Sequence, residues 1–108
     1  MRPIVQTLSD ASGGAKSVIM PIDYMARPQV SLQVDVTGTA NFTVQQTLDN
    51  VFDSSITPTW FNHPDTNLVS ATADAQSNYA YAPFAVKLLL NSGTGSAKIT
   101  ILQTGTMI

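Results

Sequence analysis

Residues 28–36 read Pro-Gln-Val-Ser-Leu-Gln-Val-Asp-Val, and this stretch decides the fold. From position 30 to position 36 an apolar residue alternates with a polar one, so the pattern has a period of two and not the period of about 3.6 of a helix. A strand with one buried side and one solvent-facing side has this pattern. The stretch therefore predicts a β-strand, and similar runs recur to the end of the chain.

Two pairs of strands are predicted around glycine-containing turns. Thr37-Gly38-Thr39 separates the first strand from a second over residues 41–48, which suggests a hairpin. Residues 84–90 and 97–103 also alternate, and the loop from Asn91 to Ser96 suggests a second hairpin. Gln45 and Gln46 interrupt the alternation of the 41–48 strand, and either a β-bulge there or a strand that leaves the sheet edge would explain it.

The remaining segments complete an all-β domain. Shorter strands are predicted at residues 4–7 and 16–19, and residues 49–75 form a long connection too apolar for a flexible linker. With 108 residues the chain is expected to be one domain, a single antiparallel β-sandwich of Greek-key or jelly-roll type. Residues 1–8 and 103–108 are apolar for chain ends. They are either interaction arms that add a strand to a neighbouring subunit or short strands paired within the domain.

Charge and composition exclude several classes of function. Only 11% of residues are charged, against about 25% in typical soluble domains, and the net charge is −2. The five basic residues are scattered, whereas phosphate binding needs clustered positive charge, so nucleic acid is not an expected partner. No run approaches the roughly 20 apolar residues of a membrane helix, and no signal peptide is visible. Low charge favours association, so a homo-oligomer, dimer or trimer, is expected.

The chain offers no credible catalytic or metal site. It has no cysteine, no glutamate and one histidine, His63, which is expected to be a hydrogen-bonded loop residue. Asp49 and Asp53 lack the spacing of a calcium loop, and turn or capping roles explain them. No nucleophile elbow and no phosphate-binding glycine loop is present. The sequence therefore predicts a protein that is not an enzyme and has no cofactor.

Exposed aromatic and terminal apolar residues are the candidate contacts with a partner. Trp and Tyr side chains anchor interfaces and stack on sugars, although the same residues can also close the ends of a sandwich core. Both readings stay open for these positions. The candidate interface residues are Trp60, Phe61, Tyr79, Tyr81, Ile4, Val5, Met107 and Ile108.

Three phrases in the second half of the chain resemble small virion proteins of tailed bacteriophages. Residues 54–65 read Ser-Ser-Ile-Thr-Pro-Thr-Trp-Phe-Asn-His-Pro-Asp, residues 78–83 read Asn-Tyr-Ala-Tyr-Ala-Pro, and residues 91–105 read Asn-Ser-Gly-Thr-Gly-Ser-Ala-Lys-Ile-Thr-Ile-Leu-Gln-Thr-Gly. The resemblance implies a capsid decoration, or cement, protein that bridges subunits of the major capsid protein. It would be made in the bacterial host cytoplasm and located on the capsid surface of the virion. A tail, collar or head-fibre component and a carbohydrate-binding module are the alternatives.

Overall fold

The computed structural model describes residues 4–22, 30–79 and 83–103. These residues form eight strands: β1 (Ile4–Ser9), β2 (Lys16–Pro21), β3 (Val30–Thr37), β4 (Asn41–Thr47), β5 (Phe61–Asn62), β6 (Ala75–Tyr79), β7 (Ala85–Ser92) and β8 (Ser96–Gln103). A short 3-10 helix, Thr66–Leu68, lies between β5 and β6. The described residues contain no α-helix, and hence none that is long and apolar enough to cross a membrane.

The strands form two antiparallel four-stranded sheets that pack into a sandwich. Sheet A has the order β1-β8-β3-β6 and sheet B the order β2-β7-β4-β5. The first strand thus pairs with the last, the second with the seventh, the third with the sixth and the fourth with the fifth. This nested pairing is a long hairpin rolled over on itself, the jelly-roll arrangement. The prediction of a single antiparallel β-sandwich of this type is confirmed.

Both predicted hairpins are wrong. β3 belongs to sheet A and β4 to sheet B, so they do not pair with each other. Likewise, β7 belongs to sheet B and β8 to sheet A. Each glycine turn is therefore an arch that carries the chain from one sheet to the other. The two arches pack together, and the Gly95 N–H donates to the carbonyl of Thr39 at 2.7 Å. A Cβ on Gly95 would lie 2.2 Å from the carbonyl oxygen of Thr37, so this position has no room for a side chain.

The core lies between the two sheets and explains the alternation seen in the sequence. Most inward-facing positions of the strands are apolar, and burying one such side chain contributes about 1.5–3 kcal/mol. The core residues from sheet A are Val30, Leu32, Val34, Tyr79, Ala97, Ile99 and Ile101; those from sheet B are Met20, Phe42, Val44, Val86, Leu88 and Leu90.

The irregularity at the glutamine pair has another cause than a bulge. β4 pairs with β7 in unbroken register through Gln45 and Gln46, and the bulge lies between Asn41 and Phe42 instead. Gln46 occupies an inward position of β4 and is buried. Its Oε1 accepts a hydrogen bond of 2.9 Å from the hydroxyl of Tyr79 in the opposite sheet. A polar pair inside the core thus replaces an apolar contact, which is why the alternation breaks there.

Candidate functional site: an apolar loop beside sheet B

Residues 48–61, which are the connection between β4 and β5 together with the first residue of β5, carry four of the seven large apolar side chains that are exposed among the described residues. We call residues 48–61 the apolar loop. Isolated exposed apolar residues are ordinary, whereas a group of them marks an interaction surface. The exposed members are Leu48 (72%), Phe52 (71%), Ile56 (43%) and Phe61 (62%).

Hydrogen bonds hold the apolar loop in a defined shape. The Asp49 carboxylate accepts a hydrogen bond of 2.7 Å from the backbone N–H of Thr59, which ties the two ends of the loop together. Asn50 and Asp53 each accept from the N–H two residues ahead, at 2.9 Å in both cases. Because these side chains make the local turns, the exposed apolar groups are presented by an ordered scaffold.

The first half of the loop rests on the end of sheet B. The ring of Phe52 packs edge-on against Phe84, with ring centroids 5.8 Å apart and planes at 70°. The Phe84 N–H donates to the carbonyl of Thr47 at 2.8 Å, so the segment before β7 is fixed to the end of β4. Beside it, Leu48, Asp49, Thr59 and Phe61 join the end of β4 in lining an open groove of about 610 Å³.

Trp60 lies on the outer face of sheet B and is half-buried. The Lys87 ammonium sits over its ring, 4.5 Å from the ring centroid. A cation over the ring face is attracted by the aromatic quadrupole. Burial lowers the pKa of Lys87. One face of the indole is thus occupied by Lys87 of the same chain, and Trp60 is not part of the buried core.

The other predicted interface residues fall in different places. Phe61 and Val5 are exposed, whereas Ile4 is half-buried in β1. Tyr79 is buried in the core, because its position in β6 faces inward, and its side chain therefore does not form part of the surface. Tyr81, Met107 and Ile108 lie outside the described residues.

The predicted chain-end segments are only partly described. Residues 4–8 belong to β1, which pairs with β8 of the same chain. Residues 1–3 and 104–108 are outside the described ranges, and residue 103 ends β8.

His63 is a buried, hydrogen-bonded loop residue, as predicted. Its Nδ1 accepts a hydrogen bond of 2.9 Å from the N–H of Asp65, so the proton of the neutral ring is on Nε2. Nε2–H then donates to the carbonyl of Asn78 at 3.2 Å. The ring also packs on Tyr79, with centroids 4.5 Å apart. Burial lowers the pKa of His63. Nε2 holds the loop to β6, and Nδ1 shapes the turn at Asp65.

Of the two acidic residues proposed as turn or capping residues, Asp53 makes a local turn, whereas the Asp49 carboxylate instead joins the two ends of the apolar loop. The pKa of Asp53 is lowered because its carboxylate accepts hydrogen bonds from the side chain and backbone of Ser55. Among the described residues, no three His, Cys, Asp or Glu side chains come together in a way that would hold a metal ion.

Sequence reasoning missed the exposure of Leu48, Phe52 and Ile56. The available signal was the combination of apolar residues with turn-forming Asn and Asp in a segment without strand periodicity. Comparison with models of protein families and with curated proteins finds no match for this chain. The apolar loop is therefore interpreted from its own chemistry.

Proposed function

We propose that this chain is a non-enzymatic structural protein of a phage virion, a decoration protein that stabilises the capsid by bridging subunits of the major capsid protein. The observation that carries the proposal is the apolar loop, in which Leu48 and Phe52 are each more than two-thirds exposed on a scaffold fixed by hydrogen bonds. An ordered surface of this kind loses little conformational entropy when a partner covers it. The resemblance of residues 54–65, 78–83 and 91–105 to small virion proteins is the reason for proposing the major capsid protein as the partner.

Cementing by such a protein is an effect of mass action. A protein that binds the assembled shell, and not its separated subunits, stabilises the shell by RT ln(1 + [L]/Kd) at each site, or about 2.7 kcal/mol at a hundredfold excess over Kd. Many weak joints then add up to a large effect on a shell under internal pressure. The chain needs only a rigid fold and a complementary surface for this role.

Two alternative functions use the same fold in different ways. A tail, collar or head-fibre component would need a similar apolar contact surface, and its partner would be found in tails or collars instead of shells. A carbohydrate-binding module would need exposed aromatic rings of similar orientation. Tyr79 is buried and one face of Trp60 is covered by Lys87, so that platform lacks support among the described residues.

The test is co-sedimentation with empty shells assembled from the coat protein of the same genome. We expect the wild-type chain to sediment with the shells and to raise their melting temperature. The double variant Leu48→Ser, Phe52→Ser should lose most of this binding while its circular dichroism spectrum is unchanged. Leu102→Ser is the matched control, because Leu102 is 52% exposed but lies on the outer face of sheet A.

Two outcomes would contradict the proposal. One is a wild-type chain that stays in the supernatant with shells at any concentration tested. The other is a Leu48→Ser, Phe52→Ser variant that binds as tightly as the Leu102→Ser control. Sedimentation with purified tails in place of shells would favour the tail alternative, and binding on a glycan array would favour the carbohydrate alternative.

A further inference from the structure

Strand β1 forms one edge of sheet A, and from Ile4 to Leu8 it carries none of the usual protections against pairing with another strand. It pairs with β8 in unbroken register from Ile4 to Ser9, so it contains no bulge. Its sequence, Ile-Val-Gln-Thr-Leu-Ser, has no charge and no proline. Edge strands are usually protected by lysine, proline, a bulge or a covering segment, because their free N–H and C=O groups otherwise recruit another strand.

Two hydrogen bonds show which groups of β1 point away from the sheet. The Asp10 N–H donates to Gly95 on the β8 side, at 3.0 Å, whereas the Ser9 carbonyl accepts from the Lys16 ammonium at 2.8 Å on the other side. Neighbouring residues of an antiparallel strand direct their backbone groups to opposite edges. Val5 and Thr7 therefore share the orientation of Ser9, and within the described residues no hydrogen bond from outside sheet A reaches them.

The other three sheet edges are protected. β2 begins at Lys16 and ends at Pro21, and a charge and a proline both discourage pairing. β5 is only two residues long. At β6, the imidazole of His63 already donates to the outward carbonyl of Asn78. In the part of the chain that the structure describes, β1 is thus the edge left open.

We propose that two copies of this chain pair through β1, antiparallel about a two-fold axis, and so join their A sheets into one continuous sheet. Val5 of each copy lies opposite Thr7 of the other, and the N–H and C=O groups of these residues form four hydrogen bonds across the axis. Neighbouring registers are less favourable. In the register that places Val5 opposite Val5, Thr7 would need the N–H of Pro3, which does not exist. In the register that places Thr7 opposite Thr7, Val5 would need the carbonyl of Ser9, which already accepts a hydrogen bond from Lys16.

The side chains of β1 complement themselves in this register. Residues of even number face the core, since Ile4 pairs with Ile101 and Leu8 with Ala97. Ile4 and Leu8 are only half-buried because they lie at the rim of the sandwich. The two-fold axis brings Ile4 of one copy opposite Leu8 of the other. Gln6 lies opposite Gln6 of the second copy, where two amides can hydrogen-bond. Neither strand carries a charged side chain, so no like charges meet across the two-fold axis.

This inference concerns the isolated chain and does not depend on binding to a capsid. Light scattering should give twice the 11.5 kDa of the chain for the wild type. Gln6→Lys and Gln6→Glu each place two like charges face to face at the axis, so each variant alone should be monomeric. An equimolar mixture of the two should recover the dimer mass, because opposite charges then meet. Gln6 is exposed, so both variants should fold.

Two further variants make the test specific. Thr7→Pro removes an N–H that points away from β8, and it should abolish the dimer while leaving the intrachain pairing intact. Ser17→Lys and Ser17→Glu, on the exposed part of strand β2, should leave the dimer mass unchanged.

A wild-type monomer, a trimer, or a dimer that survives both Gln6 variants would overturn the proposal. Failure of the dimer is distinct from failure of the proposed function, because sedimentation with shells is measured separately. A monomer that still sediments with shells would keep the cement role and reject β1 pairing.

Discussion

The packing of the two glycine arches predicts a large difference between two chemically identical substitutions. Gly95→Ala would place a Cβ 2.2 Å from the Thr37 oxygen and 2.7 Å from the Thr39 nitrogen, both backbone atoms that cannot rotate away. Overpacking of this kind costs about 1–3 kcal/mol. The shift would also weaken the Gly95 N–H hydrogen bond, at about 0.5–1.5 kcal/mol. Together the loss is about 1.5–4.5 kcal/mol, a large share of a typical stability of about 5–15 kcal/mol.

Thermal unfolding followed by circular dichroism measures this difference. Gly13→Ala is the control, since a Cβ there meets nothing within 4 Å. At about 4 °C per kcal/mol, the Gly95→Ala protein should melt about 6–18 °C below the wild type, and the control should melt close to it. Equal stability of the two variants would refute the close packing of the arches. It would also reopen the hairpin interpretation of residues 84–103.

Three other substitutions test the polar interior. His63→Gln should remove a pH dependence of stability. Folding lowers the pKa of His63, so the wild type loses stability as pH falls below the ordinary value of 6.5, by at most about 1.4 kcal/mol per pH unit. Urea unfolding from pH 7.5 to 5 should show that the free energy of unfolding falls less with pH in the variant than in the wild type. Tyr79→Phe leaves the buried Gln46 oxygen without this donor and should cost about 1–3 kcal/mol in the same unfolding assay; no change would contradict the buried pair. Thr43→Val removes the acceptor of the Ser70 N–H, a bond of 2.9 Å, and should cost about 1 kcal/mol by thermal melting, with Thr43→Ser as the neutral control.

The sequence determines which residues form strands more clearly than it determines their partners. The alternation from Val30 to Val36 depends only on one buried and one exposed face, and any sandwich supplies both. A glycine turn such as the one at Gly38 fits a hairpin or an arch, and the choice depends on contacts with Gly95, more than fifty positions away. Pairing of the first strand with the last is equally non-local.

The candidate site shows the same limit. Exposed apolar residues such as Phe52 and buried apolar residues such as Leu68 lie in the same non-periodic segment. Only the folded structure shows which of them are exposed and which are buried. Tyr79 looked like a surface aromatic because its neighbours in β6 are small or polar. Its burial follows from a partner, Gln46, in the opposite sheet. The exposed loop and the edge of β1 emerge only when both sheets are in place.

The most direct test of the proposed role is electron cryo-microscopy of expanded shells incubated with an excess of the chain. The account predicts additional density at the joints between coat subunits, shaped as a small β-sandwich, with Leu48 and Phe52 of the apolar loop against the coat. Shells that show no additional density at saturating concentration would contradict the cement role, as would density that contacts the coat only through the outer face of sheet A.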